Sequence, residues 1–368
     1  MRECIVLARR GAGSVSPNPM VGCVIVKEGR VVGRGYHRRF GHAHAEREAL
    51  RVAGKTARGA TLFVNLEPCS HYGKTPPCVD AIVDAGIYAV IIGTKDPNPL
   101  VSGRGAQVLR KAGVRVENGV LEEESQKLNE AFFKYVRKGI PFVALKIAQT
   151  VDGKIATQSG ESRWITSKEA RTEVHRLRSQ YDAVLVGAGT ILADDPRLTV
   201  RHVRGRNPLR VLLDGRFRSP VDATLFANCR EARTIIFVSD AAYRAKRKKV
   251  SLLQKRGVEV ISLPSKRGRF SLRPMLRELG KRRVTSVLVE GGQQTYSEFL
   301  RHRLADKVFV FTAPKIFGDG VAAIGTLKTP SAAHSVLLTP YSIQKVGPDT
   351  LLTGYFNHKS GRHVYRHR

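Results

Sequence analysis

The chain has 368 residues, of which 42% are hydrophobic, enough for two packed domains and too many for an intrinsically disordered protein. Its net charge is +32, and no run approaches the roughly 18 apolar residues that span a membrane. The N-terminus lacks a signal-peptide pattern, and five cysteines are few for a secreted chain of this length. We therefore expect a cytoplasmic protein that does not associate with membranes.

The first 140 residues alternate strand and helix patterns, which predicts an α/β layer. "MVGCVIVKEGRVVGRGY" is typical of a β-hairpin with a Glu-Gly turn, and "HAEREALRVAG" of a helix closed by glycine. "GATLFVNLEP" and "YAVIIGT" predict strands, whereas "TPPCVDAIVDAGI" and "EEESQKLNEAFFKYVRKG" each predict a helix. The last helix leads to a Gly-Ile-Pro joint at 139–141, so we place a first domain at 1–140.

From Phe142 the pattern restarts, which predicts a second domain at 141–357. "FVALKIAQTVDGKIA" predicts a strand with an internal turn. Further short apolar strands are predicted at "YDAVLVGAGT", "LRVLLDG", "RTIIFVS", "VEVISL" and "TSVLVEGG", with helical stretches between them. The end of this region, from "ADKVFVFTAPKIFG" to "TGYF", adds more β pattern, and residues 358–368 form a basic tail.

Most of the positive charge lies in the second half, and its densest stretch runs from "YRAKRKKVSLLQKRGVEV" through "SKRGRFSLRPMLRELGKRR". Proteins that bind single-stranded nucleic acid usually interleave aromatic residues with basic ones, and this stretch offers only Tyr243 and Phe270. A solvated basic surface is therefore the favoured interpretation, an anionic small-molecule substrate is the next, and no nucleic-acid partner is expected.

A zinc site is suggested by His44 at a helix start and by Cys69 and Cys78. One imidazole and two thiolates leave one position of a tetrahedral zinc shell open, as in catalytic sites. Glu46, two residues after the histidine, is a carboxylate that could transfer a proton to a leaving amine. A structural zinc site, an unmetallated cysteine pair, and His42 in place of His44 remain alternatives.

The pattern H-x-E followed by P-C-x-x-C is the signature of zinc nucleobase deaminases. Here the two cysteines are instead separated by the eight residues "SHYGKTPP". His71 and Lys74 in this insert could hold a phosphorylated substrate that carries a ring. A deaminase that edits tRNA or nucleobases, with an accessory binding domain, is the alternative function, and the basic charge is its main support.

With these motifs in place, the sequence resembles the bifunctional riboflavin-biosynthesis deaminase/reductase family. "PNPMVGCVIVKEG", "HAE", "LEPCSHYGKTPPC" and "DPNPLVSGRG" match its deaminase half, and "GESRWIT", "TILADDPRLTVR" and "VLVEGG" its reductase half. The resemblance implies a cytidine-deaminase-like N-terminal domain and a dihydrofolate-reductase-like C-terminal domain. It implies hydrolytic deamination of 2,5-diamino-6-ribosylamino-4(3H)-pyrimidinone 5′-phosphate, then NADPH reduction of the ribosyl group to ribityl, with one zinc ion per chain and a homo-oligomeric assembly.

The resemblance also implies roles for individual residues. Zinc ligands fall on His44, Cys69 and Cys78, the proton shuttle on Glu46, and a pyrimidine contact on Asn18. Substrate-binding positions of the reductase half are Ser162, Arg178, Leu198, Arg201 and Glu290. Positions that hold NADPH are Ala148, Trp164, Thr190, Asp194, Gly215, Gly292, Gln293, Gln294, Thr295, Tyr296, Ser297 and Glu298.

The chemistry of several of these positions supports the assignment independently. Arg178 and Arg201 offer forked donors suited to a phosphate dianion, and "VLVEGG" is a strand that ends in two glycines before a helix, a suitable approach for a diphosphate. Lys146 and Asp152 are further polar candidates. Gly215 stands where the family favours a hydroxyl residue, so a side-chain contact is not expected there. A monofunctional protein with one degenerate half remains a further alternative.

Overall fold

The structure, a computed structural model, describes residues 1–72, 76–99, 101–227, 229–266 and 269–357. The chain divides into two compact units, the first ending at Ile140 and the second beginning at Pro141. Lys74 and the basic tail 358–368 lie outside the described residues. Within the described part, none of the helices combines the length and the apolar character that crossing a membrane requires.

The described residues of the first unit form five strands and six α-helices. Its strands are β1 (Gly22–Lys27), β2 (Arg30–Tyr36), β3 (Thr61–Leu66), β4 (Ala89–Thr94) and β5 (Arg115–Asn118). Its helices are α1 (Arg2–Arg9), α2 (Ala45–Ala53), α3 (Cys78–Asp84), α4 (Arg104–Lys111), α5 (Glu122–Leu128) and α6 (Glu130–Lys138), with one 3₁₀ turn at Gly54–Ala57. The strands form one mixed sheet in the order β2-β1-β3-β4-β5. Strand β5 and helix α4 were not predicted, because a short edge strand and a helix after a Pro/Gly-rich loop carry weak patterns.

The predicted hairpin is confirmed: β1 pairs antiparallel with β2 around Glu28 and Gly29, which both have positive φ. Helix α2 packs on this hairpin and ends, as predicted, at Gly54. The approach is close, because a Cβ added to Gly35 would lie 2.3 Å from the carbonyl oxygen of Ala45. Glycine at position 35 therefore lets the first turn of α2 rest directly on the sheet.

The prediction of one continuous helix in "EEESQKLNEAFFKYVRKG" is wrong, because the helix breaks between α5 and α6 at Asn129. The side chain of Asn129 accepts a hydrogen bond from the Met20 N–H (2.7 Å) and donates one to the Met20 carbonyl (2.9 Å). Asparagine competes for backbone groups in this way and is a poor interior helix residue. The break therefore anchors the segment that follows Asn18.

The second unit carries the larger sheet. Its strands are β6 (Phe142–Thr150), β7 (Lys154–Thr157), β8 (Ala183–Gly187), β9 (Leu209–Leu213), β10 (Thr234–Ser239), β11 (Val258–Leu263), β12 (Ser265–Lys266), β13 (Arg269–Phe270), β14 (Ser286–Gly291), β15 (Lys307–Ala313), β16 (Gly320–Ala322), β17 (Leu338–Val346) and β18 (Asp349–Phe356). Its helices are α7 (Lys168–Gln180), α8 (Ala188–Asp194), α9 (Thr224–Ala227), α10 (Asp240–Ala245), α11 (Arg247–Lys255), α12 (Leu272–Lys281) and α13 (Gln293–Arg301), with a 3₁₀ turn at Ala332–His334.

Nine of these strands form one sheet in the order β11-β10-β9-β8-β14-β6-β15-β18-β17. Pairing is parallel from β11 to β15, and the last two strands run antiparallel. The buried residues of β8, β10 and β14 explain why their sequences are nearly continuous apolar runs. The carboxyl ends of the parallel strands meet at one edge, which is where ligands bind in open α/β sheets.

Candidate active sites

The first unit brings together the three predicted zinc ligands. Nδ1 of His44 lies 3.3 Å from Sγ of Cys78 and 3.6 Å from Sγ of Cys69, and the ligand atoms of the trio all lie within 4.8 Å of one another. His42 is exposed and does not belong to this group. The geometry therefore favours His44 over His42 as the histidine of a metal site.

Local structure explains the convergence. His44 is the N-cap residue of α2, and Cys78 is the first residue of α3, preceded by Pro77. The Cys78 N–H donates to the carbonyl oxygen of Cys69 (3.0 Å) and lies 3.3 Å from its sulfur. Both sulfurs are thus held at a helix N-terminus, where the helix dipole favours a thiolate.

The pKa values of the two cysteine thiols shift in opposite directions. A hydrogen bond with the Cys78 thiol, reinforced by one with His44, lowers the pKa of Cys69 to about 4 despite its burial. The same hydrogen bond with Cys69 and burial raise the pKa of Cys78. At neutral pH at least one sulfur is therefore a thiolate, which is the form that binds zinc.

Glu46 lies in the first turn of α2 and is 3% exposed. Burial raises the pKa of its carboxyl above the ordinary value, while the nearby His44 lowers it. A carboxyl group with a raised pKa beside a metal site can both accept and return a proton, as general acid–base catalysis requires. The structure thus places the predicted proton shuttle against the predicted ligands.

His37, which was not singled out from the sequence, connects Asn18 to this site. Its Nδ1 lies 3.0 Å from the carbonyl oxygen of Ala43 and must carry the proton, because that oxygen can only accept. Its Nε2 therefore accepts from the side-chain amide of Asn18 (3.3 Å), and its ring packs edge-on against His44 at 5.3 Å. Burial lowers the pKa of His37, so the ring stays neutral and fixes the orientation of the amide.

Glu67 is a second residue whose role the sequence did not reveal. Its buried carboxylate accepts hydrogen bonds from the backbone N–H groups of Asp96, Gly103 and Ala106. It thereby holds Asp96, Gly103 and the start of α4 at the end of β3, beside Cys69. Burial raises the pKa of the Asp96 carboxyl to about 6, and the exposed His71 nearby lowers it only in part.

In the second unit, a single cavity of about 1550 Å³ opens at the carboxyl edge of the large sheet. Every residue to which the resemblance assigns NADPH or the reductase substrate lines it, and so does Lys146, whereas Asp152 is not among the lining residues. The assigned residues are Ala148, Ser162, Trp164, Arg178, Thr190, Asp194, Leu198, Arg201, Gly215, Glu290, Gly292, Gln293, Gln294, Thr295, Tyr296, Ser297 and Glu298. The volume exceeds the 300–1,000 Å³ typical of one drug-sized ligand and therefore suits a dinucleotide together with a second molecule.

A buried ion cluster of Lys146, Arg178 and Glu290 lines part of this cavity. Arg178 forms a bidentate pair with Glu290 (2.5 and 2.8 Å), and the Lys146 ammonium lies 3.4 Å from the same carboxylate. Burial alone would raise the pKa of Glu290, but Arg178 and Lys146 lower it to about 2. A third donor of Arg178 reaches the carbonyl oxygen of Thr199 (3.1 Å), so this guanidinium mainly organises the site.

Arg201 is the more accessible of the two predicted phosphate-binding arginines. One of its nitrogens donates to the Thr199 hydroxyl (2.8 Å), and its backbone N–H donates to Nδ1 of His175 (3.0 Å). Burial and the nearby Arg178 lower the pKa of His175 to about 3, so His175 is neutral and can accept this hydrogen bond. The neutral histidine fixes the backbone of Arg201 inside a cationic neighbourhood that favours an anion.

Two glycines join β14 to α13: Gly291 is the last residue of the strand, and Gly292 is the N-cap of the helix. A Cβ added to Gly291 would lie 2.9 Å from the Thr190 hydroxyl, so backbone is closely packed here. Some of the predicted cofactor positions use their side chains internally, since the Tyr296 hydroxyl donates to the carbonyl oxygen of Lys146 (2.5 Å). Such positions can contact a cofactor through backbone groups, and the N–H groups at the start of α13 are suited to a diphosphate.

Comparison with known proteins identifies the chain. A family model described as "RibD C-terminal domain" matches residues 141–352, and one described as "Cytidine and deoxycytidylate deaminase zinc-binding region" matches residues 1–94. The chain belongs to the RibD family. The riboflavin biosynthesis protein RibD of Aquifex aeolicus is 44% identical over 353 residues, covering 96% of each chain, and that of Escherichia coli K12 is 39% identical over 367 residues, covering 96% of this chain and 97% of the relative.

Solved structures agree with this assignment to the RibD family. A diaminohydroxyphosphoribosylaminopyrimidine deaminase/5-amino-6-(5-phosphoribosylamino)uracil reductase from Thermotoga maritima superposes with a TM-score of 0.84 at 45% identity, covering 97% of both chains. RibD from Acinetobacter baumannii gives a TM-score of 0.86 at 36% identity, covering 97% of this chain and 98% of the other. The predicted fold classes, a cytidine-deaminase-like unit and a dihydrofolate-reductase-like unit, are confirmed.

This RibD-family chain is a bifunctional enzyme of riboflavin biosynthesis, with a deaminase unit that binds zinc and a reductase unit that uses NADPH. Membership in the family argues against the alternative of a tRNA- or nucleobase-editing deaminase. Both groups fit the residues present. The His/Cys/Cys donor set with buried Glu46 suits a catalytic zinc, and the cavity with its glycine-bounded helix start suits a dinucleotide.

Proposed function

We propose that the first unit deaminates 2,5-diamino-6-ribosylamino-4(3H)-pyrimidinone 5′-phosphate and that the second reduces the ribosyl group of the product to ribityl. The name of the Thermotoga maritima relative describes these two activities. The observation that carries the proposal is that the two sets of site residues lie in different units of the chain. The metal trio with Glu46 lies in the first unit, whereas the residues expected around NADPH and the sugar line one cavity of the second.

In the deaminase unit we assign zinc to His44, Cys69 and Cys78. A bound zinc ion supplies hydroxide at neutral pH by lowering the pKa of water to about 7. Glu46 takes a proton at its carboxylate from the attacking water and delivers it to the leaving amino nitrogen, so that ammonia departs. Asn18, held by His37, orients the pyrimidine ring.

The insert between the two cysteines is assigned to the substrate phosphate. His71 is exposed at the beginning of the described part of this insert, and Lys74 lies outside the described residues. A compact, strongly hydrated ammonium and an imidazole are both suited to a phosphate. We assign the two residues to phosphate recognition, in accordance with their absence from the short P-C-x-x-C motif of editing enzymes.

In the reductase unit we assign the sugar phosphate to Arg201 and the sugar to the ion cluster of Lys146, Arg178 and Glu290. NADPH supplies the hydride when it is bound. Glu290 holds Lys146 and Arg178 in one buried arrangement, which fixes the direction of the Lys146 ammonium. Fixed charges of this kind stabilise charge that develops on an oxygen during reduction.

Metal removal should separate the two activities. We expect treatment with a chelator to abolish ammonia release from the diaminopyrimidinone ribosyl phosphate and to leave NADPH oxidation with the deaminated product unchanged. Adding zinc back should restore ammonia release at about one ion per chain. Elemental analysis and the two assays measure these results. Loss of both activities on chelation would contradict the assignment of deamination and reduction to separate sites.

The editing function has its own test. If the chain deaminated an RNA hairpin at a rate comparable with that of the pyrimidine nucleotide, the proposed substrate would be wrong. The chain would still bind about one zinc ion in that case. A wrong substrate can therefore be distinguished from a wrong zinc assignment.

We also propose a homo-oligomer in the cytoplasm. Edge strand β17 exposes Tyr341 and Ile343, each more than 60% accessible, and an exposed edge strand with apolar side chains tends to pair with another chain. All five cysteines are free of disulfides, in keeping with a reducing compartment. Light scattering of the purified chain is expected to give a mass of at least twice 40.6 kDa, and a monomer would refute the assembly.

A further inference from the structure

The turn that follows β9, residues 214–219, presents two arginines to the large cavity of the reductase unit. Arg216 and Arg218 both line the cavity and are both exposed. Phe217 between them is fully buried in the core with φ of 54°. Because the buried ring lies between the two arginines, their guanidinium groups are left at the surface of the cavity.

Four contacts fix this turn, three of them to its backbone and one to the Phe217 ring. The Phe217 N–H donates to the carbonyl oxygen of Asp214 (2.8 Å), and the ammonium of Lys246 donates to the carbonyl oxygen of Phe217 (3.0 Å). The ammonium of Lys249 donates to the same oxygen (2.9 Å) and lies 4.3 Å above the Phe217 ring. Two lysines therefore stiffen the turn and add positive charge beside its arginines.

Arg216 and Arg218 are free to bind a ligand. Neither guanidinium has a hydrogen-bond or ion-pair partner among the described residues; the one contact of Arg216 uses its carbonyl oxygen. Five other cavity arginines already have partners for their guanidinium groups: Arg163, Arg171, Arg178, Arg201 and Arg301. Burial is the main cause of the lowered pKa of Arg201, and the nearby Arg197 contributes to it. Arg197 therefore lies close to Arg201, the residue assigned to the sugar phosphate of the substrate.

The position of the turn in the sheet suggests which anion it meets. The strand order is β9-β8-β14, so the end of β9 lies two strand spacings, about 10 Å, from the glycines at the end of β14. Lys146 and Ala148 lie on β6, on the opposite side of β14. A dinucleotide with its diphosphate at the glycines and its reactive ring towards β6 would extend its adenosine half towards β9.

An enzyme that uses NAD commonly places a free carboxylate near this strand end to accept the ribose 2′-hydroxyl, whereas arginine accommodates the 2′-phosphate of NADP. Asp214 cannot serve as the carboxylate, because it is 2% exposed and accepts the Ser219 N–H (2.7 Å). Gly215 offers no side chain. We propose that Arg216 and Arg218 bind the 2′-phosphate of NADPH and set the preference of the reductase for NADPH over NADH.

Binding of the two reduced nicotinamide dinucleotides to the full chain tests this role without turnover. Affinity is measured by the change in nicotinamide fluorescence for wild type and for the double variant Arg216→Gln/Arg218→Gln. We expect the Kd for NADPH to rise about 10- to 100-fold in the double variant, as for loss of two charge-assisted contacts, and the Kd for NADH to remain within about twofold. Arg216→Lys should retain part of the preference, because it keeps the charge but not the fork.

A matched control is Arg247→Gln, which removes one charge from the exposed start of α11 and does not line the cavity. It should leave both affinities unchanged. The proposal would be overturned if NADPH affinity in the double variant stayed at the wild-type value. It would also be overturned if the NADH and NADPH affinities fell together, because the arginines would then contact a part common to both molecules. Retained NADH binding shows that the variant still folds.

Discussion

Replacing Glu46 with Gln is expected to lower ammonia release by about 10²- to 10⁴-fold, the usual contribution of a general acid–base group. Glutamine preserves the size of the buried side chain but cannot accept and return a proton. Reduction of the deaminated product by NADPH should be unaffected, because Glu46 lies in the first unit and the cavity in the second. Separate assays of ammonia release and NADPH oxidation measure the two rates.

Glu48→Gln is the matched control for this variant. Glu48 lies on the same helix two residues later, but its carboxylate forms a surface ion pair with Arg51 and is not among the buried groups of the site. Surface pairs of this kind contribute roughly 0–1 kcal/mol, so this variant should keep both activities. If Glu46→Gln released ammonia at the wild-type rate, the carboxylate would not be the proton shuttle. If it lost both activities, the two sites would not be independent.

The zinc trio could be anticipated from the sequence because its signals are local. His44, Cys69 and Cys78 each stand at the start of a helix or the end of a strand, and such ends of neighbouring elements meet at one edge of an α/β layer. His37 could not be identified in the same way. Its role depends on which ring nitrogen faces the Ala43 carbonyl, and no spacing or periodicity reports that orientation.

The reductase site shows more clearly which features of a site cannot be predicted from sequence. The glycines after β14 mark a phosphate-binding position from sequence alone, but the partner of Arg178 is Glu290, 112 residues away. Such a pairing follows from the placement of β14 between β8 and β6, which the strand patterns do not specify. The arginines of the 214–219 turn could not be identified from the sequence for another reason. In a chain of net charge +32, two more basic residues do not stand out, and only the structure shows that they lack partners among the described residues.

Part of the basic excess also has a structural use. Arg210 is fully buried on β9 and donates to the Thr234 hydroxyl (3.0 Å) and the Ala232 carbonyl (2.7 Å). Lys246 and Lys249 serve carbonyl oxygens of the 214–219 turn in the same manner. Lys246 and Lys249 therefore both hold a turn that borders the cavity and make the potential near an anionic cofactor more positive.

Replacing Glu290 with Gln should destabilise the second unit by about 3–5 kcal/mol, because it leaves the buried cations Arg178 and Lys146 without their counter-charge. Reduction should fall by about 10²-fold through misplacement of these groups, while ammonia release continues. Trp164 is the one tryptophan of the chain and belongs to the second unit, so its fluorescence during urea unfolding reports the stability of this unit. Glu278→Gln, which affects a more accessible ion pair on α12, is the control and should change stability by less than about 1 kcal/mol.

The pH dependence of unfolding distinguishes a charge effect from a packing effect. The pKa of Glu290 is lowered from 4.5 to about 2 in the folded chain, so the carboxylate stabilises the fold above pH 4.5 and this contribution is lost as pH falls through 2. The shift corresponds to about 3 kcal/mol. Between pH 5 and pH 2 the wild type should therefore lose about 3 kcal/mol more than Glu290→Gln, whose amide does not titrate. Parallel stability curves for the two proteins over this range would show that Glu290 acts through its shape and not through its charge.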